Sequence, residues 1–265
     1  MTISTLDGLI ASTKQRVRWG KTASRTSVAN AWFSTFDLAG QPGAGTLAAG
    51  NTANGIVPTD ATAGYPSITA FNGGATGYLG ALSMANTVAC RIAVFDRLFV
   101  AGAYAFNANT TLASQPLYSS RVPGTNYAGL EIWVEQVTAA TGNQAVNVTY
   151  TNEGGTGSRT TGAVGIGAAP TVGRCWNLPL QSGDSGVQEI DVVTGTVATA
   201  GTFNVQVLRR LAEGRIIIAN GIDRQSVIDV GALLQVFHDS AFYVLVAADS
   251  TSTDLPEVNF QVVNG

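Results

Sequence analysis

Four consecutive residues, Gly183-Asp184-Ser185-Gly186, have the order found around the nucleophile of many serine proteases. In such a site the serine hydroxyl attacks a carbonyl, and a histidine oriented by an aspartate removes the hydroxyl proton. The sequence contains one histidine, His238, and it follows the serine, whereas that class of protease places its histidine first. The same four residues suit a turn between two strands. We therefore expect a turn and no catalytic residues, with a hydrolase built on Ser185 as the remaining enzymatic alternative.

Two carboxylates flank an aromatic side chain in a second segment, where Glu131 and Glu135 lie on either side of Trp133. Acids beside an aromatic ring are typical of carbohydrate sites. However, four residues of extended strand span about 13 Å, which exceeds the roughly 5–9.5 Å between the carboxylates of glycoside hydrolases. We expect Trp133 to be covered by a loop or a neighbouring subunit, because aromatic residues anchor interfaces. A glycan-binding surface centred on Trp133 is the alternative.

Metal and nucleotide sites receive little support. Glu189 and Asp191, with Asp184 nearby, lack the spacing of a calcium-binding loop. Gly165-Ile166-Gly167 lacks the third glycine of a dinucleotide-binding turn. We therefore expect no metal and no cofactor.

Positive charge is concentrated at the start of the chain. The first 25 residues carry a net charge of +4 and the rest carry −7, which together give the net −3. Such an asymmetry suggests a basic arm that contacts an acidic surface of a partner. A protein partner is favoured over nucleic acid, because five positive charges are a small footprint for a phosphate backbone. The predicted partner-binding residues are Lys14, Arg16, Arg18, Trp19, Lys21, Arg25 and, further along the chain, Trp133.

The body is poor in charge. Charged residues make up 12% of the 265 residues, about half the ~25% of an average globular chain. Depletion of charge is typical of interface cores, so we favour extensive burial against neighbouring subunits over a solvated monomer. Two cysteines, Cys90 and Cys175, predict buried thiols rather than a disulfide framework. The sequence shows no signal peptide and no apolar run of membrane-spanning length, so we expect synthesis in the cytosol and no membrane contact.

Period-two alternation of apolar and polar residues predicts many half-buried strands. The clearest examples, 187–194 and 202–211, lie in residues 170–211, a segment of three strand-like runs that sets the register for the C-terminal half. The other predicted strands are residues 27–35, 130–138, 144–151, 159–166, 175–181, 215–219, 241–247 and 257–263. A short helix is predicted over 6–13 with Ser4 or Thr5 as its cap, and a helical turn over 230–237. Periodicity leaves 91–100 open between strand and helix.

Short strands separated by Gly, Asn and Asp turns indicate an all-β fold, a jelly-roll-like antiparallel β-sandwich with an extended N-terminal arm and Gly/Ala-rich loops. Residues 1–26 are predicted to form a helix and the basic arm, and 27–265 the sandwich body, with a further boundary possible in principle near 120–128. Residues 37–80 have the composition of a flexible linker. We favour an ordered excursion, because the segment carries apolar anchors including Tyr65, Ile68 and Phe71.

Four stretches of the chain, about half of its length, resemble virion structural proteins of tailed bacteriophages, in particular capsid decoration (cement) and related head proteins. They are TSVANAWFSTFDLAGQPGAGTLAAGNTANGIVPTD, FDRLFVAGAY, GNQAVNVTYTNEGG and GAAPTVGRCWNLPLQSGDSGVQ. The resemblance implies a non-enzymatic, oligomeric β protein of the virion, assembled in the host cytoplasm. Its implied partners are other copies of itself, with a trimer as one arrangement, and the major capsid protein. A glycan-binding module of a tail or fibre is the alternative in the same setting.

Overall fold

The computed structural model describes residues 3–50, 53–167, 170–197, 199–226 and 234–265. Within these ranges one α-helix, α1, spans Leu6–Ala11, and two 3-10 turns span Ser119–Arg121 and Pro123–Thr125. The first nine strands are β1 (Thr13–Lys21), β2 (Arg25–Thr26), β3 (Trp32–Ser34), β4 (Gly40–Gln41), β5 (Gly77–Ala85), β6 (Cys90–Ala105), β7 (Asn109–Thr111), β8 (Leu130–Thr138) and β9 (Val146–Asn152). The remaining strands are β10 (Arg159–Thr160), β11 (Cys175–Leu178), β12 (Val187–Gly195), β13 (Thr202–Ile216), β14 (Ile222–Ser226), β15 (Leu234–Val236), β16 (Phe242–Ala248), β17 (Thr253–Asp254) and β18 (Glu257–Asn264).

The strands form three main sheets, and all their pairings are antiparallel. The front sheet has the order β14-β5-β18-β1-β4, with β15 also paired to β5. The central sheet has the order β11-β8-β13-β6-β16-β3, and the back sheet the order β10-β9-β12-β7. Strands β17 and β2 form a separate ribbon. The prediction of an all-β antiparallel sandwich is confirmed.

Two hydrophobic clusters hold these sheets together. The first joins apolar residues of the front sheet, such as Trp19 and Phe260, to residues of the central sheet, such as Val94. The second joins the central sheet to the back sheet, with Val205 packed in the same cluster as Val148. The central sheet therefore contributes to both interfaces, so several of its strands are buried on both faces, in the manner of a sheet covered from both sides.

The prediction of an N-terminal arm is wrong for residues 13–21. These residues form β1, which pairs with β18 from Thr13 opposite Asn264 to Gly20 opposite Glu257. The physical reason is the alternation in KQRVRWGK, which places Val17 and Trp19 on one face and the arginines on the other, and so makes a half-buried strand. The predicted helix is present, and the Thr5 side chain accepts a hydrogen bond from Gly8 N to cap it.

The described part of the Gly/Ala-rich excursion, residues 37–50 and 53–80, packs on the body, as predicted. Leu47, Tyr65 and Ile68 are buried in the first cluster, and Phe71 packs against it. Gly64 has φ +98°, and a Cβ there would lie 2.5 Å from the Cα of Gly45, so glycine is required by both conformation and space.

In three other segments the secondary structure was left open by the sequence or differs from the prediction. Residues 91–100, open between strand and helix, lie inside the long strand β6. Part of the predicted helical turn at 230–237 is strand β15, while 227–233 lie outside the described residues. The predicted strand 159–166 is reduced to Arg159–Thr160. Within the described chain, no helix is long and apolar enough to cross a membrane.

Candidate interaction surfaces

The predicted partner-binding residues that lie in β1 point to two different sides of the front sheet. The side chains of Lys14, Arg16 and Arg18 lie on the exposed face of the front sheet, whereas Trp19 and Lys21 are buried on the other face. The Trp19 indole donates to Thr35 Oγ1 over 3.2 Å. The prediction of Trp19 as a surface residue is therefore corrected, because its ring belongs to the core between the front and central sheets.

The Lys21 ammonium is held by carbonyl groups instead of a partner protein. Its Nζ donates to Phe36 O, Pro42 O and Gly43 O over 3.1–3.4 Å and lies 4.7 Å from the centre of the Trp19 ring. Burial lowers the pKa of Lys21 from 10.5 to about 8, and the negative charge of Asp37 opposes part of that change.

Arg25 also has partners within its own chain. Its guanidinium bonds the Asp37 carboxylate and the carbonyl of Val172. Of the predicted basic residues, Arg16 and Arg18 are therefore the ones that project from the body, together with Lys14, whose Nζ donates to Ile10 O over 2.7 Å.

Trp133 is covered by its own chain. It is 2% exposed and makes edge contacts with Trp32 and Phe95 at centroid distances of 5.9 and 5.7 Å. Its indole donates to Glu131 over 2.7 Å. The expected covering by a loop or a neighbouring subunit is corrected, because the ring packs on Trp32 of β3 and Phe95 of β6, which are strands of its own chain. A sugar-binding platform on this ring has no exposed face.

Glu135, predicted on an outward face, is fully buried and belongs to a network of polar side chains. Its carboxylate accepts from Arg97 Nη2 over 2.9 Å and from the Tyr243 hydroxyl over 2.6 Å. Arg97 Nη1 also donates to the hydroxyl of Tyr65 over 3.2 Å. The network thus ties the Gly/Ala-rich excursion, through Tyr65, to the central sheet.

A second buried carboxylate, that of Asp96, precedes Arg97 in β6 and has a separate set of partners. Asp96 accepts from Arg209 at 3.2 Å and from the Ser240 hydroxyl at 2.8 Å, with Arg121 at 3.3 Å. Neither buried network was predicted from the sequence. The available signal was the pair Asp96-Arg97 inside the otherwise apolar run RIAVFDRLFV, since charged residues in such a run are buried only when they are paired.

The Gly183–Gly186 segment is a turn, as predicted. The Asp184 side chain is held by Arg159, Tyr150 and Asn152 at 2.6–2.8 Å, and the hydrogen bond from Arg159 is the main reason that the pKa of Asp184 lies well below its usual range. The backbone N–H of Ser185 donates to Glu153. His238 packs against Phe71, and the small cleft beside Ser185 is lined by other residues.

A shallow groove of about 680 Å³ crosses the exposed face of the front sheet. Its floor is formed by small or neutral side chains, namely Ala81, Ser83, Asn259 and Gln261. Arg16 of β1 and Arg224 of β14 flank the groove, and both are exposed. Three strand spacings separate β1 from β14, or about 14 Å. In the described part of the chain neither arginine has an ion-pair partner.

The back sheet carries the opposite charge. Glu189 and Asp191 project from β12 beside Thr149 and Thr151 of β9, and Glu189 is exposed. Burial, reinforced by the charge of Glu189, raises the pKa of Asp191. Neither acid forms an ion pair with any residue that the structure describes. Those residues also contain no group of three or more side chains placed to hold a metal ion.

A hairpin of exposed isoleucines projects between the central and front sheets. It connects β13 to β14 through residues 217–221, and Gly221 N donates to Ile218 O over 3.0 Å to close the turn. Ile217, Ile218 and Ile222 are 76%, 66% and 57% exposed. Burying one such side chain stabilises a protein by about 1.5–3 kcal/mol. A partner that covered the three isoleucines would therefore gain a considerable hydrophobic free energy.

Comparison with known proteins gives no family. No protein-family model and no curated protein matches the sequence. Solved structures similar to the chain include those of the infectious bursal disease virus Gt strain and Gx strain, each at 9% identity and TM-score 0.18, covering 96% of this chain and 81% and 80% of theirs. A VP2 subviral particle of the same virus is 10% identical, with a TM-score of 0.18 over 96% of this chain and 80% of that one. At this level the similarity carries no argument about function.

Proposed function

We propose that the protein is a non-enzymatic structural subunit of a virion, which assembles with other copies of itself and with the proteins of a capsid. The observation that carries the proposal is the isoleucine hairpin. Large aliphatic side chains that are more than half exposed on a chain with 12% charged residues are expected to be covered in the working assembly. Helix α1 adds a second such surface, because Leu6 and Ile10 are 58% and 66% exposed.

Within that class, the resemblance of the sequence to tailed-bacteriophage head proteins supports a decoration (cement) or minor head protein that binds the major capsid protein. The outer faces of the front and back sheets are the surfaces proposed to make repeated contacts with neighbouring subunits. The glycan-binding alternative loses its proposed platform, since Trp133 is buried. We propose no catalytic residues and no cofactor.

The test is self-association of the purified chain, measured by light scattering across a wide range of concentrations. We expect the wild type to form oligomers and an Ile217→Asn/Ile218→Asn variant to associate at least tenfold more weakly with an unchanged unfolding midpoint. Leu117→Asn is the matched control, because Leu117 is 82% exposed on a different loop. A wild-type chain that stays monomeric at every concentration, or a hairpin variant that assembles normally, contradicts the proposal.

The absence of enzymatic activity has its own test. Incubation with a serine-directed fluorophosphonate is expected to leave the protein unlabelled, because the base that would activate Ser185 is not part of its surroundings. Labelling of the wild type that is abolished by Ser185→Ala would establish a hydrolase and overturn this part of the proposal.

A further inference from the structure

The exposed faces of the front and back sheets carry charges of opposite sign that have no ion-pair partner among the described residues. On the front sheet these are Arg16 and Arg224, on either side of the groove. On the back sheet they are Glu189 and Asp191. The two acids lie close together on β12, and the charge of Glu189 contributes to the raised pKa of Asp191, so a counter-charge supplied from outside would relieve their repulsion.

We propose that the groove of the front sheet receives the acidic strand face of the back sheet of a second copy of this chain. The proposal rests on the self-assembly proposed above and names the surfaces that make one of its contacts. The partner is a second copy because the same sequence supplies both halves of a complementary pair of faces.

The shapes of the two faces are compatible with this contact. The floor of the groove consists of small and amide side chains, and the acids on the back sheet lie among threonines such as Thr149 and Thr151. Two sheets that pack face to face lie about 10 Å apart. Arginine side chains can therefore reach inward from both walls of the groove to carboxylates that project from the opposing sheet, in bidentate geometry.

The two faces are different surfaces, so the contact is heterologous. A heterologous contact leaves one free basic face and one free acidic face on every pair of subunits, and repetition produces a closed ring or an open chain. Arg18 lies beside the groove but is already paired with Glu257 at 3.1 Å, so it contributes less free charge than Arg16 and Arg224.

The test is a charge-swap experiment followed by light scattering at low and high salt. One variant reverses the groove (Arg16→Glu/Arg224→Glu) and another reverses the acidic face (Glu189→Arg/Asp191→Arg). We expect each variant alone to associate at least tenfold more weakly than the wild type. An equimolar mixture of the two is expected to associate, and so is a chain that carries all four changes, because the complementarity is then restored with the signs exchanged.

Arg215→Glu is the control for the change of charge itself, since Arg215 lies on β13 of the central sheet with a side chain that is 63% exposed; because it is paired with Asp249 at 3.4 Å, the folding of this variant is checked as well. Because Asp191 is partly buried, Glu189→Arg alone provides a second acidic-face variant, and circular dichroism checks the folding of each.

If the wild type associates and the reversals leave association unchanged, this inference fails while the proposed function stands. If only the groove variant loses association, or the mixture fails to associate, the groove binds something other than this acidic face and the inference is overturned. A wild type that never associates removes the proposed function itself.

Discussion

Arg97 donates to Glu135 over 2.9 Å inside the protein, where the two side chains are 2% and 0% exposed. The pair joins strands β6 and β8, which are not neighbours, because β13 lies between them. Asn204 of β13 approaches the same carboxylate at 3.4 Å. With the Tyr243 hydroxyl of β16, the Glu135 carboxylate is therefore held by groups from four adjacent strands, β8, β13, β6 and β16, and the position of each strand depends on the others.

Replacing Glu135 by Gln should destabilise the protein by about 3–5 kcal/mol, because it leaves the charge of Arg97 buried without its partner. The double variant Arg97→Met/Glu135→Leu should be closer to the wild type than either single variant, since no buried charge then remains. Urea unfolding of the wild type, Arg97→Met, Glu135→Leu and the double variant measures the coupling. A Glu135→Gln cost below about 1 kcal/mol would mean that water reaches the pair.

Trp133→Ala should lower the free energy of unfolding by about 3–5 kcal/mol, because it removes a large side chain packed against Trp32 and Phe95. Trp133→Phe should cost less, since a ring still occupies much of the same space. Chemical denaturation measures both. A surface platform for glycans would instead show near-wild-type stability together with loss of sugar binding, and that result would contradict the buried position.

Lys21 should make the protein more stable as the pH rises from about 8 towards 10.5. Its pKa in the folded state is about 8, below the ordinary value of 10.5. Between these values the unfolded chain binds the proton and the folded chain does not, so stability increases with pH. Below pH 8 both states are protonated, and the folded state carries the unfavourable burial of the charge.

The measurement for Lys21 is the difference in unfolding free energy between the wild type and Lys21→Met at several pH values. The difference is needed because buried tyrosines such as Tyr104 and the Cys90 thiol, whose pKa burial raises to about 11, act in the opposite direction at alkaline pH. A difference that does not change across this window would show that the ammonium is solvated.

Both cysteines should resist modification in the folded protein. Cys90 and Cys175 are buried, and burial raises the pKa of each thiol, so little thiolate is available to react. An aromatic disulfide reagent at pH 8 should label neither thiol in the native protein and both in denaturant. Rapid labelling of the native protein would contradict the buried positions.

The sequence predicted strands best where one face is buried and the other wet. Residues 130–138, for example, coincide with β8, and residues 187–194 lie within β12. Prediction was poorer where charge and periodicity gave different answers. In β1 the alternation around Val17 and Trp19 was present, but the density of positive charge favoured an arm.

The residues of the interaction surfaces could be predicted only in part from the sequence. Arg16 was recognised as a surface residue, whereas Arg224 comes from a strand more than 200 residues further along and joins it only through the order of the front sheet. The Arg97–Glu135 pair was hidden for a similar reason. Local patterns identify faces of single strands, and these relationships depend on which strands become neighbours.

The pairing of β1 with β18 also affects the synthesis of the protein. At about 5–20 residues per second, a strand made roughly 240 residues later emerges some 10–50 s afterwards. During that interval β1 has no long partner and presents free backbone groups beside the ribosome. The lysine and arginines along its outer face then oppose aggregation, because the positive charges on the β1 strands of two nascent chains repel each other and discourage edge-to-edge pairing.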